Sequence, residues 1–541
     1  MLILLFLGCH SDGADSQDGN AVVVEEGAGL YDDTRVLEVT LTLDDADWEA
    51  LRNQTRTVWD TFAGDCLAQP FDSPFDWYVG DATVDGVSLG AIGVRKKGFL
   101  GSLDATRPSL KLALDHLRGD TEFDGVTRLT LNNGHEDPTG LHTCLAYSTY
   151  TAAGVPAPRC TLAHVTVNGE DLGVYANVEP VDEDFLARHG LARDGGLFEG
   201  TLSDFREGWT GTFDPKTHAS DVAQLDRVKT AIDTGDLAAI AEVVELDAYL
   251  DFWAAEVLVG QWDGYDANTN NYFVYDDPST GRIRFIPWGA DATFDRAAPF
   301  AADWVAANSA LSRAVLLAPG GEEAYRAHLL ALLDDAWDGE ERVAEVNRLA
   351  DLAEPWQGEG YRADVRVLRE IVEGKEDLLR AALDADPAAW NGALRDQPCF
   401  VERGSIAATF STSWGTLGES PWTTGSMTMD LTWDGAVVPL TPAGAVAGAQ
   451  GETAVVATLA SKPDGSYLVS YVYFPVDALT PSQLPFDFVD VVGVLLSSDG
   501  ASTPSLVAYA AEGGVTLDLA GSGAGDAVQG HIAGTLFSYG W

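Results

Sequence analysis

Two stretches, QWDGYDANTNNYFVY at 261–275 and FIPWGADATF at 285–294, decide how the chain is read. The first closes a segment with apolar residues at three- and four-residue spacing, 246–262, then crowds Asp263, Asp266, Asn268, Asn270 and Asn271 into a polar turn. Alternating apolar residues follow at 272–275 and 282–288 with DDPSTG between them, which predicts a hairpin, and Asp291 comes just after it. Working outward, 35–43, 77–84, 87–97 and 109–115 alternate as strands, and 44–52 reads as a short capped helix. A helix over 138–153 precedes a second hairpin, 163–167 and 173–178, whose turn holds Asn168-Gly169, a pair that tolerates positive φ. Helical spacing takes over at 222–233, 237–244 and 246–262, and resumes after the embedded hairpin at 321–352 and 361–385. A β-rich half feeding a helical half is an α+β pattern. Past Cys399, short alternating runs rich in Gly, Ser, Thr, Val and Ala predict an all-β, sandwich-like domain over 396–541. It carries no His, Cys or carboxylate cluster, so its expected duty is binding or structural.

The chain has 541 residues, enough for about three or four domains at roughly 100–200 residues each. Its 84 acidic and 32 basic residues leave a formal charge of −52, a field that repels phosphate backbones and excludes a general nucleic-acid binder. With 46% hydrophobic residues it has the material for sizeable cores, and the dispersed acidity reads as a solubilising surface. The apolar start MLILLFLG ends at Cys9, after which the sequence turns polar and small. That pattern predicts a bacterial lipoprotein signal over 1–9, lipidated at Cys9, and a flexible acidic tether over 10–34. The expected location is therefore outside the cytoplasm, as an envelope or surface lipoprotein or a secreted protein. No other run approaches the roughly 20 apolar residues needed to span a bilayer. Cys66, Cys144, Cys160 and Cys399 form an even set suited to disulfides in an oxidising compartment, with three connectivities open.

Phosphoryl transfer needs a carboxylate to orient the attacking hydroxyl and an amide oxygen for a metal ion, which kinase loops supply as Asp-x-x-x-x-Asn. Asp263 and Asn268 share that spacing, as do Asp266 and Asn271, and Asp291 falls after a β-ribbon where an acidic metal ligand belongs. The combination resembles the CotH kinase family, the spore coat protein H group of atypical secreted kinases. Besides 262–275 and 285–294, the resemblance is carried by VRKKGFLGS (94–102), PSLKLALD (108–115), LTLNNG (129–134) and VTVNGEDLGVYANVEPVDEDFL (165–186). It spans about 36–385 and leaves the C-terminal β domain outside. It implies, over 35–395, a divergent bilobal protein-kinase-like fold that binds ATP with Mg²⁺ or Mn²⁺ and phosphorylates Ser/Thr hydroxyls of exported proteins.

By the same resemblance, Asp263 orients the acceptor hydroxyl and Asp291 holds the metal. Asn268 by spacing, and Asn271 by the family's Asn-Tyr junction, are both candidates for the second metal ligand. Lys111 is the candidate phosphate-contacting cation, with Arg95 and Lys97 as rivals. The glycine segment 98–102 is placed over the phosphates, and Glu179 in EPVD is placed against the nucleotide pocket. Two departures stand out. Many family members carry an acidic residue where this chain has Gly289, and the 138–153 helix contains no acid to fix the lysine, so another carboxylate serves or the lysine is less rigidly held. The competing expectation, from a different class, is a catalytically inactive kinase-like envelope or adhesion protein whose β domain binds a partner or glycan. No GxSxG or HExxH motif is present, which argues against a hydrolase.

Overall fold

In β1 (Val36–Leu43) the apolar residues Leu37, Val39, Leu41 and Leu43 point inward and alternate with exposed Glu38, Thr40 and Thr42. This one-sided strand starts a barrel. The structure, a computed structural model, describes residues 27–119, 121–295, 307–384, 394–499 and 504–538; the apolar leader, Cys9 and most of the expected tether lie outside the described residues. β1 is followed by β2 (Trp77–Val84), β3 (Val87–Lys97), β4 (Ser109–Ala113), β5 (Arg128–Asn132), β6 (Cys160–Val167) and β7 (Glu170–Val178), closed in the order β1-β2-β3-β4-β5-β7-β6. Closure comes from β1, which pairs antiparallel with β2 and parallel with β6. The interior is filled by Ile92, Val94, Leu110, Leu112, Leu129, Leu131 and Val165. Asn168 and Gly169 sit at φ 51° and 82°, as the hairpin reading requires. The end of the expected tether is packed rather than loose: Leu30 is fully buried, and the Asp124 carboxylate accepts from the Gly29 and Leu30 amides.

The helical region combines a four-stranded sheet with most of the helices. Its strands are β8 (Gly196–Gly200), β9 (Asp214–Pro215), β10 (Tyr272–Asp277) and β11 (Arg282–Pro287), in the order β11-β10-β8-β9. Helices α1 (Asp45–Asn53), α2 (Val58–Phe62) and α3 (His142–Ala152) interrupt the barrel sequence. After it come α4 (Glu183–Arg188), α5 (Asp226–Ile232), α6 (Leu237–Val243), α7 (Leu246–Val259), α8 (Tyr265–Asn268) and α9 (Ala310–Leu317). The series ends with α10 (Gly321–Asp335), α11 (Gly339–Ala353) and α12 (Tyr361–Leu383). The single helix expected over 321–352 is two, because Asp338 N-caps a new start by accepting from the Glu341 amide. α7 is buried almost all round, with Phe252, Trp253, Ala254 and Ala255 in the core and Trp253 stacked on Tyr325 at 3.8 Å. It ends at Gly260, in the left-handed region at φ 67°, which turns the chain into the polar segment 261–271. Among the described residues no helix is long and apolar enough to cross a membrane.

The C-terminal domain departs from the expected sandwich. Its described strands, β12 (Val401–Ser413), β13 (Ser426–Trp433), β14 (Ala436–Val437), β15 (Thr441–Gln450), β16 (Thr453–Ser461), β17 (Tyr467–Pro475), β18 (Ser482–Pro485), β19 (Val492–Ser498), β20 (Ser505–Ala520) and β21 (Ala527–Ser538), form one continuous sheet. Bulges between β20 and β21 bend it, and β13 and β15 come side by side as the sheet curls around the enclosed core of Phe410, Met429, Val456, Val472 and Ile532. A continuous curled sheet therefore replaces two facing ones.

Two disulfides settle the open connectivity: Cys144–Cys160 ties α3 to β6, and Cys66–Cys399 ties the segment after α2 to the entry of the β domain. Their sequence separations are 16 and 333 residues. Loop-closure entropy gives roughly 3 kcal/mol for the shorter bridge and about 5–6 kcal/mol for the longer. Replacing Cys66 and Cys399 by Ala is expected to lower the thermal midpoint more than replacing Cys144 and Cys160. Melting curves with and without reductant check this, since reduction should erase the difference between wild type and either variant.

Candidate functional site

The turn after α7 exists to hold one carboxylate. Asp263 Oδ1 accepts from Asn268 Nδ2 at 2.6 Å, and Oδ2 accepts from Asn271 Nδ2 at 2.7 Å. Asn270 Nδ2 bridges both oxygens at 3.2 and 3.1 Å. Thr269 and Asn271, both at φ 53°, supply the tight winding that brings three amides to one acid. Burial penalises the charged form and the three amides favour it; burial wins, aided by nearby Asp291, and the Asp263 carboxyl is pushed up to about 6.

Asp266, the other acid with the kinase-like spacing, is sealed away at 0% exposure. Its Oδ1 accepts from Tyr249 and Ser309 hydroxyls, and it sits beside Glu256, whose carboxylate receives the Tyr265 and Asp266 amides. Burial pushes Asp266 up to about 7 and Glu256 well above its ordinary range, so this pair braces the turn from below. Gly264 makes the brace possible, because a Cβ there would lie 2.4 Å from Glu256 Oε1.

The two asparagine candidates separate on their oxygens. Asn268 Oδ1 already accepts from Arg395 Nε at 2.6 Å, so both ends of that amide are committed, and Asn268 does not offer the expected metal ligand. Asn271 gives its nitrogen to Asp263 and keeps its Oδ1 beside Gly289. The end of β11 is stitched to this turn by the Trp288 amide donating to Asn271 O at 3.1 Å and by Gln261 Nε2 donating to Trp288 O at 2.8 Å. Asp291 follows, its carboxyl raised by burial and by Asp137 and Glu136, with Lys97 opposing.

The barrel contributes cations from one face. Arg95 on β3 stands opposite Lys111 on β4, and Lys97 is two residues further along, on the same side. Lys97 donates to Asn132 Oδ1 and lies 5.6 Å from the centroid of the Trp288 ring. Burial and the neighbouring Lys111 push it down to about 8, against Asp291 and Glu199. Burial also lowers Lys111, with Glu199 opposing. Arg95 is stacked over Trp77 at 4.7 Å, and its Nε is buried without a hydrogen-bond partner.

Glu199, on β8, was not anticipated. Burial raises it, but Lys216 at 2.6 Å together with Lys111 and Lys97 outweighs burial and holds its carboxyl below the ordinary value. Glu199 is thus a carboxylate set among lysines of the barrel and of the segment after it. Nothing in GLFEG announces it, because its lysine partners lie on β3, β4 and just after β9.

The Glu179 carboxylate is already committed to two arginines. It accepts from the Arg159 amide and guanidinium at 2.9–3.2 Å and from Arg188 at 2.5 and 3.0 Å, fastening β6, β7 and α4 beside a cavity of about 270 Å³. With both oxygens in a paired ionic cluster, it is a structural brace. In the glycine segment, the Phe99 amide turns inward to Ser102 Oγ at 3.3 Å, and the Phe99 ring packs edge-on against Phe62 and Phe71.

Residues 94–354 match the family described as CotH kinase protein. The curated inner spore coat protein H of Bacillus subtilis (strain 168) is 29% identical over 193 residues, 32% of this chain. The match covers 52% of the relative, so the chain spans about half the length of the curated relative it matches. Over this stretch the chain is similar to the CotH kinase family. All of Arg95, Lys97, Lys111, Glu199, Asp263, Asn271 and Asp291 fall inside the CotH kinase match. Among solved structures, the Helicobacter pylori proinflammatory kinase CtkA is similar at TM-score 0.27 and 11% identity, over 53% of this chain and 94% of that one. The Shewanella oneidensis MR-1 toxin–antitoxin complex of HipA, HipB and operator DNA is similar at 0.28 and 11%, over 54% and 68%. Scores of that size assign no fold.

Among the described residues no three His, Cys, Asp or Glu side chains converge as a metal cage. Asp291 and Asn271 nonetheless offer hard oxygen donors, one charged and one neutral. That set suits Mg²⁺, which keeps waters and takes phosphate oxygens for its remaining positions. Gly289 stands where many CotH kinases have an acid, at φ 50°, and a Cβ there would lie 2.5 Å from Asn271 Oδ1. Gly289→Asp is therefore expected to displace Asn271 from Asp263, to cost about 1–3 kcal/mol in strain, and to weaken Mg²⁺-dependent nucleotide binding. Thermal unfolding and a metal titration read the two effects.

Proposed function

We propose that this protein transfers the γ-phosphate of ATP to Ser or Thr hydroxyls of an exported protein, with the barrel serving as one lobe and the helical region as the other. The observation that carries the reading is Asp263 held by three asparagine amides, with Asp291 close enough to raise it further. In this mechanism ionised Asp263 accepts a hydrogen bond from the acceptor hydroxyl and orients it. Lys97, Lys111 and Arg95 hold the phosphates, and Glu199 keeps the two lysines apart and aimed. Asp291 and Asn271 would hold Mg²⁺ or Mn²⁺, which when bound neutralises charge on the transferring group. Two disulfides support an oxidising compartment, and with the Cys9 motif they favour a lipid-anchored envelope or surface protein.

One feature favours a second reading. Gly289 removes a carboxylate from the metal side, which suits a nucleotide-binding scaffold that no longer transfers phosphate, its β domain binding an envelope partner. Incubating the full chain with labelled ATP and Mg²⁺ or Mn²⁺ separates the two. Self-labelling lost in Asp263→Ala and Asp291→Ala supports transfer, binding without labelling supports the scaffold, and absence of binding overturns both.

The pH dependence follows from the two displaced groups. Asp263 must be ionised, so activity is expected to rise with pH through about 6, and Lys97 must be protonated, so it falls above about 8. A kcat/KM profile lacking the acid limb would show that Asp263 does not perform the assigned role.

A further inference from the structure

Arg395 lies beyond the CotH kinase match, in the segment that enters the β domain, yet its side chain is 7% exposed and reaches the turn that holds Asp263. An asparagine amide can face a neighbour with either end. A guanidinium has donors only, so the contact from Arg395 Nε can be made by Asn268 Oδ1 alone. That leaves Nδ2 as the end that faces Asp263. Without Arg395 the amide loses one of its two anchors, its oxygen is left without that donor, and Asp263 alone holds the other end.

The segment bearing Arg395 is held along its backbone. The Arg395 amide donates to Asn308 O at 2.9 Å, and the Arg395 carbonyl accepts from Arg206, which is bonded to Asp204 at 3.0 Å and lies 3.9 Å over the Trp209 ring. Four residues on, Cys399 is bridged to Cys66, and the Phe400 amide donates to Phe62 O at 2.7 Å. Trp59 then packs against Phe400 at 5.1 Å, Phe488 at 5.3 Å and Phe537 at 4.7 Å, so the docked β domain fixes the register of the whole segment.

We infer that Arg395 is a positioning residue of the phosphotransfer site, locking Asn268 so that Asp263 is presented in one orientation, and that the docked β domain is what seats it. The inference rests on the phosphotransfer reading above. Arg395→Met in the full chain keeps the buried stem and removes every donor. Its kcat should fall on the order of 10- to 100-fold while KM for ATP stays within about twofold, since the phosphate-binding cations are untouched. Arg395→Lys, which retains a donor, should recover part of the loss. Because the effect passes through Asn268, adding Arg395→Met to Asn268→Ala should cost nothing more. Amide hydrogen exchange over 263–271 should quicken in Arg395→Met while the thermal midpoint stays near that of wild type. Wild-type kcat and wild-type exchange in Arg395→Met, or full additivity with Asn268→Ala, would overturn the assignment. If the wild-type chain transfers no phosphate, the phosphotransfer reading falls, and the exchange of the turn alone decides whether Arg395 positions it.

Discussion

A carboxylate withdrawn from water must find donors, and most of the architecture around Asp263 can be understood as supplying them. Three asparagines donate to it, and two of them have a support of their own. Asn268 takes Arg395, Asn271 takes the end of β11, and the turn as a whole rests on the buried pair Glu256 and Asp266. Burying that pair is costly unless it is neutralised or hydrogen-bonded. The raised Asp266 and Glu256 carboxyls and their bonds to Tyr249, Ser309 and two backbone amides show both remedies at once. Asp263, carried on this stack, is itself pushed up to about 6 by burial.

The opposing wall follows a different logic. In a chain of net charge −52, Lys97, Lys111 and Lys216 gather around one carboxylate, Glu199, with Arg95 beside Lys111. The result is a cluster of cations withdrawn into protein, where low dielectric strengthens each charge–charge interaction.

How much of this was legible depended on how local the signal was. The Asn168-Gly169 turn, the alternation in β1 and the ribbon from β10 to β11 are written in adjacent residues, and their reading matched the structure. Strands β5 and β8, five residues each, are too short for alternation to declare itself. Glu199 was missed because the lysines that give it meaning lie far away in sequence, on β3, on β4 and just after β9. Choosing between Asn268 and Asn271 required knowing what occupies each amide oxygen, and the occupant of Asn268 is 127 residues away. Glu179 sits in a family motif, yet its contacts are with Arg159 and Arg188, a pairing that spacing alone does not reveal. The sandwich expected at the C-terminus became a curled sheet because bulges between long strands, set by register rather than composition, decide whether a sheet bends or splits.

The bridge between Cys66 and Cys399 encloses the entire CotH kinase match in a covalent ring. Synthesis proceeds from the amino end, so Cys66 waits for a partner until 333 further residues have been added. The seat of Arg395 is therefore among the last parts of the site to be completed, after the barrel and the turn around Asp263 already exist as chain. Oxidation thus acts as a timer as well as a staple: the arrangement around Asp263 is secured only after the chain has been made through Cys399.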